Sequence, residues 1–420
     1  MKIKQIINDS NFLLKKISEI YDNPENQIDR YKLALAKFSE NFDDEHIIVI
    51  STPGRIEVCG NHTDHQLGKV IAAAIDIDSI AVVSKAENVR IISEGYDVIE
   101  MKTNDLTYRN DEIFTSVALV KGILRGFIDH DLKIGGFNVY FTSAIKEGSG
   151  LSSSANFALA IASIINCLFN DNKVNSLTLA KIAQYSESKY FNKPVGLMDQ
   201  LAIASGGICY IDFIDKDNPK ITKLNDVFFI NDYQLLIMNT QSDHSDLSNA
   251  YADIVNEMSE VANQKNLDHL GKLEPTCFYE KIIPSSTIIN DRSILRAHHF
   301  FQENKRVTEL YQALLNNDMD KAILLIKNSG FSSYMYLQNI YDEKQPHHQK
   351  IAVALALCEY ILNGQMAAYR IHGGGFGGSV LIIIKKDEVS SFLIKAAKLL
   401  PQNAVTKINV RNHGSICIID

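Results

Sequence analysis

Apolar residues recur at helical spacing near the start of the chain. Phe12, Leu13, Ile17 and Ile20 form one stripe, and Tyr31, Leu33, Leu35 and Phe38 form a second. The pattern predicts helix over most of residues 1–45. The period then changes. His46–Ile50 is rich in β-branched residues and reads as a strand, and strand-like runs follow at Val70–Ile75, Ile80–Ser84 and Val89–Ile92. Ile113–Ile128 reads as a helix and Gly136–Phe141 as a strand. A Gly/Ser turn at 147–154 leads into an apolar helix ending near residue 169, and a further helix covers about 176–189. Ile208–Phe213 is strand-like, and Asp215–Pro219 is a turn cluster that marks a domain boundary, dividing the chain into residues 1–215 and 216–420. In the second half a strand is predicted at Gln234–Met238. Helices are predicted near 246–263, 292–315, 318–328, 347–363 and 387–399, and two strands flank the glycines at 373–378. Strands and helices mix without strict βαβ alternation, so the pattern predicts an α+β fold rather than a doubly wound sheet.

Composition narrows the function classes. The 420 residues suffice for two or three domains, and 46% apolar with 22% charged residues excludes a disordered or fibrous chain. A net charge of −8 argues against a general nucleic-acid binder, which needs a basic face. The closest two of the six cysteines are 42 residues apart, which leaves no CxxC spacing and suits a reducing compartment. Lys and Asp interrupt the apolar residues of the N-terminus, which therefore lacks a signal-peptide core. The longest apolar stretch, Phe157–Phe169, falls short of the ~20 residues that span a bilayer. A soluble cytoplasmic protein is expected, with neither nucleic acid nor membrane as partner.

Four segments carry candidate chemistry. In Lys146–Asn156, two glycines and four serines, three of them consecutive, precede a helix. The glycines allow a tight turn, the backbone amides and the helix N-terminus favour an anion, and a serine hydroxyl could reach a magnesium ion. No GxxxxGK[ST] occurs, so this is not a Walker A loop, and a simple Ser N-cap is the plainer alternative. Thr52–His65 gathers Arg55, Asn61, His62, Asp64 and His65, a set able to hydrogen-bond several hydroxyls of one polar ligand. A solvated loop is the alternative there, and His62 and His65 lack a third ligand for a metal. In Arg370–Gly378, Gly373, Gly375 and Gly378 satisfy GxGxxG. Ser379–Ile384 then reads as a strand where a dinucleotide site needs a helix, so the glycines suit close approach to a ligand or another backbone. Asp199, in Pro194–Gln200, stands at a predicted helix start and reads either as an N-cap or as a base.

Taken together these segments resemble the GHMP small-molecule kinases, and within them the galactokinases, from about residue 28 to the C-terminus. A family stretch like PGRxxxxGEHTDY matches Pro53–His65 (PGRIEVCGNHTDH), GLSSSA matches Gly150–Ala155, and G-x-MDQ matches Gly196–Gln200. A C-terminal glycine motif matches Gly373–Gly378, and an RARH-x3-EN-x-RV pattern matches Arg296–Val307. The resemblance implies a two-lobed α+β fold, with a mixed sheet in the N-terminal lobe, an antiparallel sheet in the C-terminal lobe and the site in the cleft between them. It implies an ATP- and Mg²⁺-dependent kinase acting on the C1 hydroxyl of a sugar, galactose first, and by family habit a monomer. By the same resemblance Asp199 is the base and Arg55 lies near the transferred phosphate. Gly148, Ser149, Gly150, Leu151, Ser152, Ser153 and Ser154 wrap the ATP phosphates, and Ser154 and Glu187 hold magnesium. Asn61, His62, Thr63, Asp64 and Tyr251 meet the sugar. Two positions depart from the pattern: Asn61 stands where the family has Glu, which contacts the C6 hydroxyl, and His65 where it has Tyr. The first change removes a negative charge, which makes galacturonate the alternative substrate. A non-catalytic sugar and ATP sensor on the same fold is the remaining reading.

Overall fold

In the computed structural model, residues 3–44, 46–146, 148–224, 232–242, 248–285 and 289–420 are described. The strands among them are β1 (Ile48–Cys59), β2 (Lys69–Ala86), β3 (Val89–Ser93), β4 (Ile99–Met101), β5 (Gly136–Ser143), β6 (Ile208–Asp212), β7 (Lys220–Lys223), β8 (Tyr233–Asn239), β9 (Ala368–Ile371), β10 (Ser379–Lys385), β11 (Val405–Ile408) and β12 (Ile416–Ile419). They form two sheets. The first runs β12-β1-β2-β5-β3-β4, with β6 added to β2 and β7 to β6. It is mixed, because β3 lies parallel to β5 while the other pairs are antiparallel. The second sheet, β11-β8-β10-β9, is antiparallel throughout. The fold is the expected α+β arrangement of a mixed sheet and an antiparallel sheet, each carrying helices.

Two strands differ in kind from the sequence pattern. The runs at 70–75 and 80–84 are one strand, β2, whose first part pairs with β6 (Lys69–Ala73) and whose second part pairs with β5 (Ser79–Ala86). The polar Asp76–Asp78 stretch that separates the runs marks this change of partner. β1 continues nine residues past Ile50 to Cys59, so Arg55 and Glu57 are strand residues and not part of a polar loop. Its register shifts at Pro53/Gly54, where proline has no amide to give the ladder. The Asp215–Pro219 turn joins β6 to β7 within the first sheet, and the chain's end returns to that sheet as β12. First-sheet residues therefore lie on both sides of position 215. The helix foreseen at 246–263 is described from Ser248, so its first two residues lie outside the described segments.

Helices Ser116–Asp129, Ser153–Phe169, Ser176–Tyr185 and Met198–Ser205 cover one face of the first sheet, burying Val83, Phe127, Val139, Ile161 and Leu201 in one core. The other face, with Ile56, Val58 and Ile71, shares a core with Leu235, Leu381 and Ile383 of the second sheet and with Leu310 and Ile323 of helices Asp291–Leu315 and Met319–Ser332. Side chains alternate along β10: Leu381 and Ile383 enter that shared core, while Val380, Ile382 and Ile384 face helix Lys350–Ile361. The two sheets are thus fused through one apolar layer, and the polar segments meet at its rim.

A second tie is ionic. Asp78 is fully buried and accepts hydrogen bonds from Tyr21, Ser51, Arg30 (3.0 Å) and Arg411 (3.3 Å). It joins the N-terminal helices, β1 and the segment before β12. Removing one partner of such a buried pair costs about 3–5 kcal/mol, because the remaining charge is left uncompensated. Asp78→Ala is therefore expected to lose that much stability in urea unfolding; a loss under about 1 kcal/mol would contradict this role.

Candidate active site

Arg55 and Asp199 form the centre of the site. Arg55 projects from β1, and Asp199 stands in the first turn of helix Met198–Ser205. The guanidinium donates from Nε to Asp199 Oδ1 (2.6 Å) and from Nη2 to Oδ2 (2.8 Å), while Nη1 donates to the carbonyl of Gly150 (2.5 Å). Both ends of the fork are thereby fixed. Ser152 Oγ also donates to Asp199 Oδ2. Burial pushes the Asp199 carboxyl up, but Arg55 and Ser152 outweigh it and hold the group below its usual value. It is a carboxylate at neutral pH.

The glycine–serine segment lies against this pair. Gly148, Gly150 and Ser152 all have positive φ (70°, 75° and 66°), which turns the chain sharply into helix Ser153–Phe169. Ser152 is the N-cap by position, yet its hydroxyl goes to Asp199 and makes no capping bond. The first-turn amides of an α-helix have no intrahelical partner, so this turn can receive an anion. Ser149 Oγ bonds back to Lys146 O (2.6 Å), and Leu151 is buried in the core shared by the two sheets. Glu147 lies outside the described residues.

A second polar cluster borders the loop. Ser154 Oγ donates to Glu187 Oε1 (2.6 Å), Gln200 Nε2 donates to Glu187 Oε2, and Lys193 Nζ donates to Ser154 Oγ (3.0 Å). Ser154 and Glu187 bring together a hydroxyl and a carboxylate, two hard oxygen donors of the kind magnesium accepts alongside phosphate oxygens and water. The residues present fit such an ion.

Residues 61–64 follow β1 directly. Asp64 Oδ2 accepts from the amide of Met198 (3.3 Å), and burial with the nearby Asp199 raises its carboxyl to about 6. Gly196 leaves room for this carboxylate, since a Cβ at that position would lie 1.7 Å from Asp64 Oδ2 and force it to move. His62 Nε2 lies 2.8 Å from Gly374 O and Nδ1 lies 3.2 Å from His65 Nε2. The carbonyl can only accept, so His62 carries its proton on Nε2 and accepts from His65 on Nδ1. Burial lowers His62 to about 4 and keeps it neutral. The Tyr251 ring stacks on His62 at 6.3 Å between centroids, and its hydroxyl donates to Gly375 O (3.1 Å). The preceding residues His244–Leu247 lie outside the described segments. Thr63 and Asn61 are fully buried: Thr63 Oγ1 lies 2.9 Å and 2.7 Å from the carbonyls of Gly60 and Lys69, and the Asn61 amide is engaged within the protein.

Further residues reach the site, three of them (Glu57, Glu303 and His372) inside the motifs above but with no role assigned there. Glu303 of helix Asp291–Leu315 accepts from Gly60 N (2.9 Å); burial pushes its carboxyl up, but Arg306, His299 and Arg370 bring it down to about 2. Glu57 pairs with Arg370 (2.6 Å) at the junction of the sheets, where burial raises its carboxyl and Arg370, Asn61 and Arg55 offset only part of that rise. His372 is buried between Arg55 and Ser379, and burial lowers it to about 3. Lys193 stands outside every quoted motif. The glycines at 373–378 join β9 to β10 and do not open a helix, as expected.

The class of protein this fold and site belong to, the GHMP kinases, follows from comparison with known proteins. The family model for the GHMP kinases N terminal domain matches residues 118–207, and the galactokinase galactose-binding signature matches residues 36–85. Galactokinase of Lactobacillus helveticus is 30% identical over 380 residues, covering 87% of this chain and 92% of that protein. Galactokinase of Limosilactobacillus reuteri (strain DSM 20016) is 29% identical over 385 residues, covering 87% and 93%. The chain belongs to the galactokinase family and is a phosphotransferase. In fold it matches the crystal structure of Lactococcus lactis galactokinase complexed with galactose, with a TM-score of 0.77 at 23% identity over 92% of this chain and 99% of that one. A mevalonate kinase structure matches with a TM-score of 0.61 at 16% identity over 87% of this chain. Among the described residues, no helix is long and apolar enough to cross a membrane.

Proposed function

We propose that this chain transfers the γ-phosphoryl group of ATP to the C1 hydroxyl of D-galactose, giving α-D-galactose 1-phosphate and ADP. The observation that carries the reading is the bidentate Arg55–Asp199 pair set against the Gly148–Ser154 turn. In the reaction the C1 oxygen forms a bond to the γ-phosphorus, the bond from that phosphorus to the β–γ bridging oxygen breaks, and the proton of the C1 hydroxyl passes to the Asp199 carboxylate. Phosphoryl transfer asks the protein mainly for alignment and charge neutralisation. Arg55 keeps Asp199 ionised and aimed, and its charge lies where negative charge gathers on the transferring group. Gly148–Ser154 hold the phosphates on backbone amides. Ser154 and Glu187 would hold Mg²⁺, which when bound neutralises phosphate charge. His62, Asp64 and Tyr251 face the sugar, and Asp64 accepts from its hydroxyls.

Galacturonate finds no support as the substrate. The polar atoms of Asn61 are already bonded within the protein, so the Glu-to-Asn difference opens no place for a carboxylate. The sensor reading also falls, since the phosphate turn, Arg55 and Asp199 are all in place.

The test is ADP release from Mg-ATP with galactose, glucose, N-acetylgalactosamine, galacturonate and arabinose. Turnover is expected with galactose above the others. Turnover of galacturonate above galactose, or binding of ATP and galactose without ADP release, would overturn the reading.

A further inference from the structure

Asn61, the residue at which the sugar loop leaves the family pattern, has no exposed surface. Its carboxamide makes four hydrogen bonds. Nδ2 donates to Glu57 Oε2 (3.0 Å) and to Gly373 O (2.7 Å), and Oδ1 accepts from Ser333 Oγ (3.1 Å) and Asn339 Nδ2 (2.8 Å). A carboxamide offers two donor hydrogens and two acceptor lone pairs, so its capacity is filled. The orientation is unambiguous, because the Gly373 carbonyl only accepts and the Asn339 amide nitrogen only donates. Glu57 gives its other oxygen to Arg370 Nη2 (2.6 Å), and Arg370 Nη1 donates to Val58 O (2.7 Å). The glycine loop is gripped carbonyl by carbonyl: Gly373 by Asn61, Gly374 by His62 (2.8 Å) and Asn339 (3.2 Å), and Gly375 by Tyr251 (3.1 Å).

We propose that Glu57 and Asn61 are one coupled acid–amide pair that sets His62 and Tyr251 on the glycine loop, with the acid required at 57 and the amide at 61. Asn61 is then a positioning residue and does not read the sugar itself. The inference rests on the galactose 1-kinase reading. Its physical basis is the sign of the contacts. An acid at 61 shares at most one proton with Glu57 where the carboxamide gives two hydrogens, so at least one of the contacts at 2.7 Å to Gly373 O and 3.0 Å to Glu57 becomes acceptor–acceptor. Both side chains lie away from the surface, where bulk water does not solvate them.

The test uses shape-preserving variants of the full chain: Asn61→Asp, Glu57→Gln and both together. Asn61→Asp is expected to lower kcat/KM for galactose about 100-fold and Glu57→Gln about tenfold, the scale of a buried polar group left opposed or unpaired. The double variant restores a donor between the two positions and is expected to regain at least about tenfold over Asn61→Asp, a non-additivity that neighbouring partners show. KM for ATP stays at the wild-type value in all three. The loss in Asn61→Asp is the same factor for galactose and for its 6-deoxy analogue, because the sugar's C6 group is not what the residue touches. Full activity in Asn61→Asp, losses that simply multiply in the double variant, or a loss confined to galactose would each overturn the proposal. If Asn61→Asp does not fold, Glu57→Gln decides: a tenfold loss on the sugar with unchanged KM for ATP supports the pair, and no loss overturns it. If the wild-type chain does not phosphorylate galactose, the functional reading fails. The pair is then judged by thermal melting, where Asn61→Asp falls and the double variant recovers; no recovery overturns it.

Discussion

Asp199→Asn is expected to cut kcat by about 10²–10⁴-fold, the usual contribution of a positioned base, while ATP binding stays near its wild-type value. The substitution keeps the shape and removes the charge. The amide that replaces one carboxylate oxygen turns a donor toward the Arg55 fork, which now spans both oxygens at 2.6 and 2.8 Å. The proton of the C1 hydroxyl loses its acceptor at the same time. The phosphate turn at Gly148–Ser154 precedes a different helix, so nucleotide affinity measured by calorimetry should hold. Near-normal turnover in this variant would refute the role of Asp199.

Arg55→Met is expected to be at least as damaging, with a distinct signature in the pH profile. Burial alone pushes the Asp199 carboxyl up, and Arg55 with Ser152 reverses that push. Without the guanidinium the burial effect dominates and the carboxyl rises. The acid limb of kcat/KM should then move to higher pH, because a protonated Asp199 cannot accept the proton of the C1 hydroxyl. Losing the cation beside the transferring phosphoryl group costs about a further 10²–10³-fold in kcat. A variant with a reduced rate but an unmoved acid limb would show that Arg55 acts on the phosphate alone and does not set the state of Asp199.

The members of the candidate site were legible in the sequence where a short motif fixes its own backbone. The Gly150–Ala155 turn, Asp199 in its helix start and Arg55 after Pro53–Gly54 all stand in short segments whose backbone conformation follows from glycine, proline and a helix terminus. Their placement was less legible. Pro53 and Gly54 read as the end of a strand, yet β1 runs through them to Cys59, because a bulge absorbs a residue that gives no amide to the ladder. Asp76 and Asp78 read as a break between two strands, yet Asp78 is buried in the middle of one, paid for by Arg30 and Arg411 from opposite ends of the chain. The short strands β4, β7, β11 and β12 hold three to four residues each and leave too little pattern to detect.

Asn61 is the instructive case. Read along the chain, it sits among His62, Thr63 and Asp64 and is expected to face the same ligand. In the folded protein its partners include Ser333, Asn339 and Gly373, which are 272, 278 and 312 residues away in sequence. Whether a polar side chain faces the cleft or the protein is decided by those distant groups, and no local spacing reports them. The same holds for Glu57, whose partner Arg370 lies across the junction of the two sheets.

The most direct test of the central claim is the identity of the product. Wild-type chain, Mg-ATP and galactose, followed by phosphorus NMR, should give α-D-galactose 1-phosphate and ADP in equal amounts, with no product from Asp199→Asn on the same timescale. A phosphate at any carbon other than C1, or product formed as fast by the variant as by the wild type, would contradict the account.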